Sequence, residues 1–487
     1  MGELAILREI LRYNKGLYLV PLRALANEKF DYFNAYNTKY KIAIRTGDYD
    51  KDDSDLADYD LIISTYEKMD SIVRHKAEWL SNVGVVVIDE GHYLTERKRG
   101  PTLEILLTRL RIKCPQARLV LLSAVISNAN DIATWLTAKL FKSEWRAVPL
   151  SEGIFYNGKI KWKDGKPDTI IQTEYRDPIK ALVTDIIRNN AQCIIFCNSR
   201  KNTVETADNI SKVIGNNITF EERKILGEIT NHISDHDLAS FVPYGVAFHN
   251  AGLSSRDRML IEESFKKNII KVIAATTTLA SGINLPARRV IIQSIKRYTS
   301  DGWIDIPKFE YSNIAGRAGR KGLDPYGECI LIATSQFEAD ILMNYLLQGN
   351  EQIISRITEP EALHTHVLST VKLEQPITSD KVKEFFSTTY GYSHLGAAIV
   401  NNLVDKSLNL LTEMQLTYHN NGVCNTTLMG NKICELYIDP LSYPKILVAL
   451  GEPFSITHWL ETICSLRDFE ARSNIEWPVV LGRWINE

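Results

Sequence analysis

The chain has 487 residues, a length that suggests about three or four domains of roughly 100–200 residues each. Its 45% hydrophobic and 24% charged residues are typical of an ordinary globular protein. The net charge of −2 excludes a basic field over the whole surface, so any nucleic-acid site must be a local groove.

The first third of the chain alternates helical and strand patterns. A helical period at Glu3–Leu11 precedes predicted strands at Gly16–Pro21, Lys41–Asp48, Leu61–Thr65 and Leu119–Ala124. This alternation predicts an α/β domain with a doubly wound parallel sheet. In such a sheet the functional loops lie at the carboxyl ends of the strands.

The segment Pro21–Ala26, P-L-R-A-L-A, begins a helix just after the first strand. Backbone N–H groups at the start of a helix can hold a phosphate. Arg23 could add a charged contact there, although a solvated helix face explains an arginine about as well. Thr65, which ends the third strand, is a candidate N-cap for the next helix.

The stretch Val85–Leu94 reads V-V-V-I-D-E-G-H-Y-L, and the rest of the chain is organised around it. Its apolar β-branched run predicts a strand buried on both faces, which ends in Asp89 and Glu90. NTP hydrolysis needs such a pair, with Asp89 on magnesium and Glu90 orienting the attacking water. His92 would then report the nucleotide state to the other half of the site. The alternative is a strand that ends in a solvated acidic turn.

A second α/β unit follows a polar, lysine-rich connector around Lys159–Asp168. Cys193 and Cys197 lie in its first strand and would both point inward. The chain has seven cysteines and no C-x-x-C pair, which favours a reducing cytoplasm without a zinc or iron–sulfur site. The predicted strands of this unit are Cys193–Cys197, Gly245–His249, Lys271–Thr276, Val290–Gln293 and Cys329–Ala333.

Two loops of the second unit could approach a ligand. Ala275–Ala287 reads A-T-T-T-L-A-S-G-I-N-L-P-A and consists largely of small residues. Asn313–Arg320 reads N-I-A-G-R-A-G-R, so Arg317 and Arg320 would share one face of a helix. Two guanidiniums so placed can stabilise charge on a transferring phosphoryl group, whereas an isolated arginine pair is usually a surface feature.

From about residue 336 the pattern becomes mostly helical. Helical segments at Lys381–Phe386 and Ala397–Leu408, followed by a strand-like L-N-L-L-T, predict a winged helix. Thr426–Asp439 then begins another helical region. We expect no membrane association, because no apolar run approaches the roughly 18 residues of a transmembrane helix and no signal peptide opens the chain.

Nine motifs occur in the order and spacing of a known family. They read P-L-R-A-L-A, T-G-D, S-T-Y-E-K, D-E-G-H, L-S-A-V, F-C-N-S-R, F-H-N-A-G-L, A-T-T-T-L-A-S-G-I-N-L-P-A and A-G-R-A-G-R. The chain therefore resembles the superfamily two DExH-box helicases. It is most similar to the archaeal ratchet-type DNA repair helicases, relatives of the helicase domain of polymerase theta.

The resemblance implies two RecA-like domains that close on ATP and Mg²⁺, with single-stranded nucleic acid across both. It assigns magnesium and water to Asp89 and Glu90, and the coupling of hydrolysis to movement to His92 and Ser123. Arg317 and Arg320 would supply charge, and Gly282 and Asn284 would line the interdomain cleft beside the nucleotide. The residues implied to bind nucleic acid are Pro21, Arg23, Thr65, Asn198, Arg200, His249 and Thr276.

The resemblance also places a strand-separating hairpin at Ile295–Phe309. Asp301-Gly302 is a strong turn signal, and Tyr298 and Trp303 flank it, so that an aromatic ring could stack on the last base pair. The alternative is a surface hairpin whose Trp303 packs on the winged helix.

Three departures from the family pattern stand out. Val125 replaces the threonine of L-S-A-T and loses a hydroxyl, and Asn313 replaces a longer glutamine. Most important, the 487 residues contain no G-x-x-x-x-G-K-[ST] phosphate loop. Three lost phosphate contacts, at roughly 1.5–3 kcal/mol each, would weaken ATP binding more than about a thousandfold. We expect the polypeptide as written to hydrolyse ATP poorly or not at all.

Taken together, the sequence predicts a monomeric, cytoplasmic, ATP-dependent DNA helicase that moves 3′ to 5′ and unwinds forked duplexes in repair. Two alternatives stay open: an ATPase-deficient single-strand-binding remnant and an RNA helicase. The resemblance implies that the winged helix braces the second motor domain. The expected domains are RecA-like at 1–152 and 153–335, winged helix at 336–425, and the start of a helical ratchet domain at 426–487.

Overall fold

The fold is described from a computed structural model of the chain. The residues that the structure describes are 2–35, 39–47, 54–75, 77–124, 126–143, 145–215, 218–277, 285–299, 302–452 and 455–466. Side chains are described for these residues except 54, 297–299, 302 and 303. Within these ranges, no helix combines the length and the apolar character that crossing a membrane requires.

The first domain is built on a five-stranded parallel sheet in the order β2-β3-β1-β4-β5. The predicted strands are confirmed, with small shifts at their ends. The strands are β1 (Lys15–Val20), β2 (Ile42–Arg45), β3 (Leu61–Thr65), β4 (Val83–Ile88) and β5 (Arg118–Leu121). The helices are α1 (Gly2–Ile10), α2 (Arg23–Ala35), α3 (Tyr66–Arg74), α4 (Gly100–Lys113) and α5 (Ala129–Trp135).

Strand β4 explains why the apolar run in this sequence is continuous. Val85 and Val87 face the layer of α1 and α2, whereas Val86 and Ile88 face the layer of α3 and α4. All four side chains are buried, as expected for a strand covered by helices on both faces. The predicted doubly wound sheet is therefore confirmed. The polar residues that follow β1 to β5 meet at one edge.

The second domain contains an eight-stranded sheet in the order β10-β11-β9-β12-β15-β6-β7-β8. Its strands are β6 (Leu150–Tyr156), β7 (Lys159–Trp162), β8 (Thr169–Ile170), β9 (Cys193–Cys197), β10 (Val246–His249), β11 (Val272–Thr276), β12 (Arg289–Ile292) and β15 (Gly327–Ile332). A separate antiparallel hairpin is formed by β13 (Lys296–Thr299) and β14 (Gly302–Asp305). The helices are α6 (Pro178–Arg188), α7 (Arg200–Ile214), α8 (Phe220–Thr230), α9 (His236–Phe241), α10 (Ser255–Lys266), α11 (Lys308–Ala315) and α12 (Gln336–Leu347).

Two boundaries of the second domain differ from the sequence expectation. The segment interpreted as a connector forms β7 and pairs with β6, so it belongs to the second sheet. Strand β6 itself begins at Leu150, inside the range assigned to the first domain. Helix α12 buries Leu342 and Leu346 in the core of the second domain. This domain therefore extends to about the end of α12 rather than to residue 335.

Up to residue 466, the described part of the C-terminal region contains helices and one β-ribbon, a combination that a winged helix requires. The strand-like interpretation of L-N-L-L-T is wrong, because Leu408 and Leu411 lie three residues apart in α16 and are both buried. The ribbon follows at β16 (Thr417–Asn420) and β17 (Val423–Thr426). The helices are α13 (Pro360–Glu374), α14 (Ser379–Ser387), α15 (Tyr390–Leu395), α16 (Ala397–Glu413), α17 (Leu428–Glu435), α18 (Tyr443–Gly451) and α19 (Ile456–Ser465).

The region predicted to be a winged helix packs on the first domain, and the expectation that it braces the second stays a prediction. Tyr390 belongs to the core of the first domain, and Trp135 Nε1 donates to Thr388 O at 2.9 Å. Arg109 of α4 donates to Asp70 Oδ1 at 2.6 Å and to Ser369 Oγ at 2.7 Å, all three side chains being buried. The first domain and the C-terminal helical region thus share buried contacts.

Candidate functional site

Asp89 lies just beyond the carboxyl end of β4, and four neighbouring groups contact it. Tyr18 donates its hydroxyl to Asp89 Oδ2 at 2.7 Å, and the backbone N–H of Glu90 donates to Oδ1 at 3.1 Å. Tyr66 donates its hydroxyl to the Asp89 carbonyl. Lys29 of α2 places Nζ 3.9 Å from Oδ2. Asp89 is therefore a fixed carboxylate at the sheet edge rather than a freely solvated one.

Glu90 has a left-handed backbone, with φ 56° and ψ 45°. For a residue other than glycine this conformation carries strain, which is concentrated at functional sites in many proteins. Burial raises the pKa of Glu90 to about 7, and the Asp89 carboxylate adds to the rise, whereas Arg317 and Lys29 oppose it. The alternative of a solvated acidic turn does not describe this site, because both carboxylates have specific charged or hydrogen-bonding neighbours.

His92 joins the first domain to the second, as the resemblance implies. Its ring is buried, lies 5.2 Å from the ring of Phe309, and places Nε2 3.5 Å from Asn313 Nδ2. Burial lowers the pKa of His92 to about 4, so the ring is neutral near pH 7. Nδ1 lies 3.3 Å from Glu90 Oε2 without hydrogen-bond geometry. One neutral imidazole thus lies between Glu90 and α11 of the second domain.

The two motif arginines do not share one face. Helix α11 ends at Ala315, and Gly319 has φ 95°, so the chain turns between them. Burial lowers the pKa of Arg317, while Glu28 and Glu90 of the first domain counteract that effect. Arg320 instead pairs with Asp324 at 2.8 Å and donates to Gln192 Oε1 at 2.7 Å. Carboxylates of the first domain therefore influence the pKa of Arg317, whereas Arg320 bonds to Asp324 and Gln192 of the second domain.

Helix α11 is held at both ends by segments that connect domains. Glu351, beyond α12, accepts from the backbone N–H of Lys308 at 2.8 Å, and its carbonyl accepts from Ser127 of the first domain at 3.2 Å. Arg146 Nη2 donates to the carbonyls of Gly316 at 3.1 Å and Ala318 at 2.9 Å. Their charges match the helix ends that they contact. Neither residue stands in a recognisable motif, so sequence reasoning missed both.

The residues predicted to contact nucleic acid in the first domain lie at the ends of β1 and β3. Arg23 is exposed, and its guanidinium covers Gly47 so closely that a Cβ on Gly47 would collide with it. Pro21 is buried. Thr65 is also buried, and its hydroxyl caps α3 by accepting from Lys68 N at 3.4 Å. The predicted N-cap is confirmed, and Arg23 is the member of this set with an exposed cationic group.

The corresponding residues of the second domain lie at the ends of three adjacent strands. Asn198 follows β9, His249 ends β10 and Thr276 ends β11, while the exposed Arg200 begins α7. His249 Nε2 lies 2.9 Å from Glu262 Oε1 and is buried, so it is oriented by a carboxylate. The sheet brings this set to one edge, and its role in binding stays a prediction.

Several predicted site residues are only partly covered by the structure. Ser123 lies beyond the end of β5 and is exposed. Gly282, Asn284 and Val125 lie outside the described residues. The predicted hairpin is confirmed, with Tyr298 paired to Trp303 in the backbone register, but neither side chain is described.

Asp89 is a suitable protein ligand for a magnesium ion. A magnesium ion in a nucleotide site is usually held by one or two carboxylates together with substrate phosphates and water. Asp89 supplies such a carboxylate, already oriented by Tyr18. Groups from both domains lie near one another here, since Glu90 and Arg317 affect each other's pKa and His92 contacts Asn313. This arrangement suits the cleavage of a phosphoryl bond between two closing domains.

Comparison with known proteins agrees with this geometry. A family model described as DEAD/DEAH box helicase matches residues 1–132, and one described as helicase conserved C-terminal domain matches residues 177–322. The ATP-dependent DNA helicase Hel308 of Pyrobaculum calidifontis is 38% identical, across 90% of this chain and 64% of that relative. The protein of the same name from Methanocella arvoryzae is 37% identical, across 98% of this chain and 68% of that relative. The chain belongs to the Hel308 family.

This Hel308-family chain spans 64% of the length of the first of these two relatives and 68% of the second. The two family models cover the parts that form the cleft. The first extends from α1 into α5 and includes Asp89, Glu90 and His92. The second extends from just before α6 to just beyond Arg320. The two RecA-like domains that the resemblance implied are therefore those of the Hel308 family.

Proposed function

We propose that this protein is an ATP-dependent DNA helicase that works as a monomer on single-stranded and forked DNA. The observation that carries the proposal is the proximity of Glu90 of one domain to Arg317 of the other, each of which shifts the pKa of the other. The contact of His92 with Asn313 joins the same two domains. The relatives named ATP-dependent DNA helicase Hel308 support the choice of DNA and ATP.

Within this proposal each polar group of the cleft has one task. Asp89 would hold magnesium, which when bound with ATP neutralises charge on the phosphates. Glu90 would orient and accept a proton from the attacking water, for which its raised pKa is suitable. Arg317 would stabilise the charge that develops on the transferring phosphoryl group, with Arg320 supporting it. Ser123, Gly282 and Asn284 would complete the nucleotide side of the cleft.

The nucleic-acid side of the proposal follows the carboxyl edges of both sheets. Phosphate contacts by Arg23 and Arg200 would bind a strand without reading its sequence, as a translocating motor requires. The 3′-to-5′ direction and the preference for forks rest on the resemblance. RNA stays the alternative substrate, because contacts to a sugar–phosphate backbone distinguish the two nucleic acids weakly.

A second candidate function concerns a polypeptide made of these 487 residues alone. The sequence contains no G-x-x-x-x-G-K-[ST] loop, whose amides, lysine and hydroxyl would bind phosphate and magnesium. We infer that such a polypeptide binds single strands but turns over little ATP. Experiments on turnover therefore use a loop-fused protein, defined as this chain with a strand and a G-x-x-x-x-G-K-T loop joined ahead of α1.

Binding to single-stranded DNA is expected to be salt-sensitive and indifferent to sequence. Each phosphate that a cationic side chain neutralises should contribute roughly 0.7 to the slope of log affinity against log salt. Fluorescence anisotropy with labelled oligonucleotides of two unrelated sequences, in a salt series, measures this slope for the unmodified chain. An affinity that does not change with salt, or that differs strongly between the two sequences, would contradict the proposed groove.

A further inference from the structure

Arg99 contacts two segments that carry predicted nucleic-acid residues. It lies between the short 3-10 turn Gly91–Thr95 and helix α4. Its Nη1 donates to the carbonyl of Pro21, and its Nε lies 3.4 Å from Glu67 Oε1. The side chain is 34% exposed, compared with 69% for Arg97 two residues earlier. Arg99 is therefore held between elements, whereas Arg97 extends into solvent beside Glu359.

The partners of Arg99 explain why its position matters. Pro21 begins the segment between β1 and α2, two residues before Arg23. Glu67 lies in the first turn of α3, two residues after the N-cap Thr65. Arg99 itself belongs to the segment that starts at Glu90 and carries His92. One guanidinium thus connects the segment that follows β4 with the ends of β1 and β3, which carry the predicted nucleic-acid residues of the first domain.

The geometry also fixes where Arg23 can lie. The Arg23 guanidinium covers Gly47, so a shift at the start of α2 would move it off the loop that follows β2. A guanidinium can hold a carbonyl and a carboxylate at once because its donors spread in a plane, whereas a lysine ammonium is a single point charge. The hydrogen bond from Arg99 to the Pro21 carbonyl therefore holds the backbone two residues before the start of α2.

We propose that Arg99 is a positioning residue that holds Pro21 and Arg23 in place for a nucleic-acid phosphate and links them to the segment that follows Glu90. The inference rests on the proposed single-strand binding and adds to it a residue that acts without touching the nucleic acid. Arg99 works through Arg23, so removing either side chain removes the same phosphate contact.

A first experiment compares two neighbouring arginines in the unmodified chain. Arg99→Ala is expected to weaken the affinity for labelled oligo(dT) about tenfold, the effect of losing one charge-assisted contact. Arg97→Ala removes the same charge from a more exposed site and is expected to change the affinity less than about twofold. Equal losses in both variants would mean that bulk charge matters, and would overturn the proposal.

A double-mutant cycle separates positioning from direct contact. If Arg99 acts through Arg23, then Arg23→Ala and Arg99→Ala together should weaken binding about as much as Arg23→Ala alone. If Arg99 binds its own phosphate, the two losses should multiply, and the salt slope should fall by roughly 0.7 for each arginine. Multiplied losses would overturn the proposal, and so would an Arg99→Ala variant that binds as well as the unmodified chain.

Two further measurements keep these outcomes separate from misfolding. Arg99→Lys keeps the charge but cannot hold both partners, so it should lose most of the affinity that Arg99→Ala loses, while its thermal unfolding by circular dichroism stays unchanged. Full recovery of binding by Arg99→Lys would overturn the proposal, since charge alone would then suffice. If the unmodified chain binds no single strand, the proposed function fails first, and this inference fails with it.

Discussion

Replacing Thr299–Trp303 with a short glycine-serine turn is expected to abolish duplex separation in the loop-fused protein. ATP hydrolysis and single-strand binding should persist. Opening one DNA step costs about 1.4 kcal/mol on average, and stacking one base on an aromatic ring returns roughly 1–3 kcal/mol. One ring is therefore enough to hold one opened step, and the replacement removes the ring of Trp303 together with the turn that would present Tyr298 to the duplex. An assay of forked-duplex unwinding alongside ATP hydrolysis measures both effects.

The hairpin can be changed without disturbing the cleft because its base is anchored separately. Ile306 N donates to Ile295 O at 2.6 Å, and Tyr345 donates its hydroxyl to Ile306 O at 3.0 Å. A matched control is the turn at Asn157-Gly158 between β6 and β7, which lies in the same domain. A glycine-serine turn there should leave unwinding unchanged. Unimpaired unwinding by the Thr299–Trp303 variant would leave the hairpin a purely structural role.

Arg317→Ala in the loop-fused protein is expected to lower kcat by a factor of roughly 10³ to 10⁵, the range for loss of an arginine finger. The KM for ATP should change little, because the guanidinium acts mainly on charge that develops in the transition state. Steady-state kinetics with saturating single-stranded DNA gives both parameters. The sequence alone assigned this effect to both motif arginines.

Arg320→Ala provides the comparison. Its guanidinium is paired with Asp324 and Gln192, so its removal should cost stability as well as turnover. A Tm that falls for Arg320→Ala but stays constant for Arg317→Ala would separate the two roles. If Arg317→Ala loses ATP binding and turnover in equal measure, the residue is structural, and the role of Glu90's partner passes to another group.

The regular elements of both sheets follow from sequence pattern because their burial is local and periodic. Val85–Ile88 is apolar at every position, and helices cover both faces of the strand. The L-N-L-L-T segment shows the limit of this reasoning. Its leucines fit a strand on local composition, but Leu408 and Leu411 also lie on one helical face, and packing in the core of the C-terminal region selects the helix.

The candidate site likewise contains residues that the sequence pattern predicts and residues that only the structure shows. Asp89, Glu90 and His92 are close in sequence, and one strand end positions them, so pattern was sufficient to find them. The different surroundings of Arg317 and Arg320 could not be predicted from the sequence, because the chain turns at Gly319 between them. Arg99, Arg146 and Glu351 act through backbone carbonyls and amides of distant segments. Such contacts leave no pattern in a single sequence.

The most direct test of the central claim is the ATP turnover of the loop-fused protein with and without single-stranded DNA. The two-domain cleft predicts turnover that DNA stimulates, that Glu90→Gln abolishes, and that a polypeptide of residues 1–487 lacks. The same DNA affinity in all three proteins would show that the groove is intact throughout. ATP turnover that single-stranded DNA does not stimulate, or that persists in the Glu90→Gln variant, would contradict the assignment of Glu90 and Arg317 to one nucleotide site.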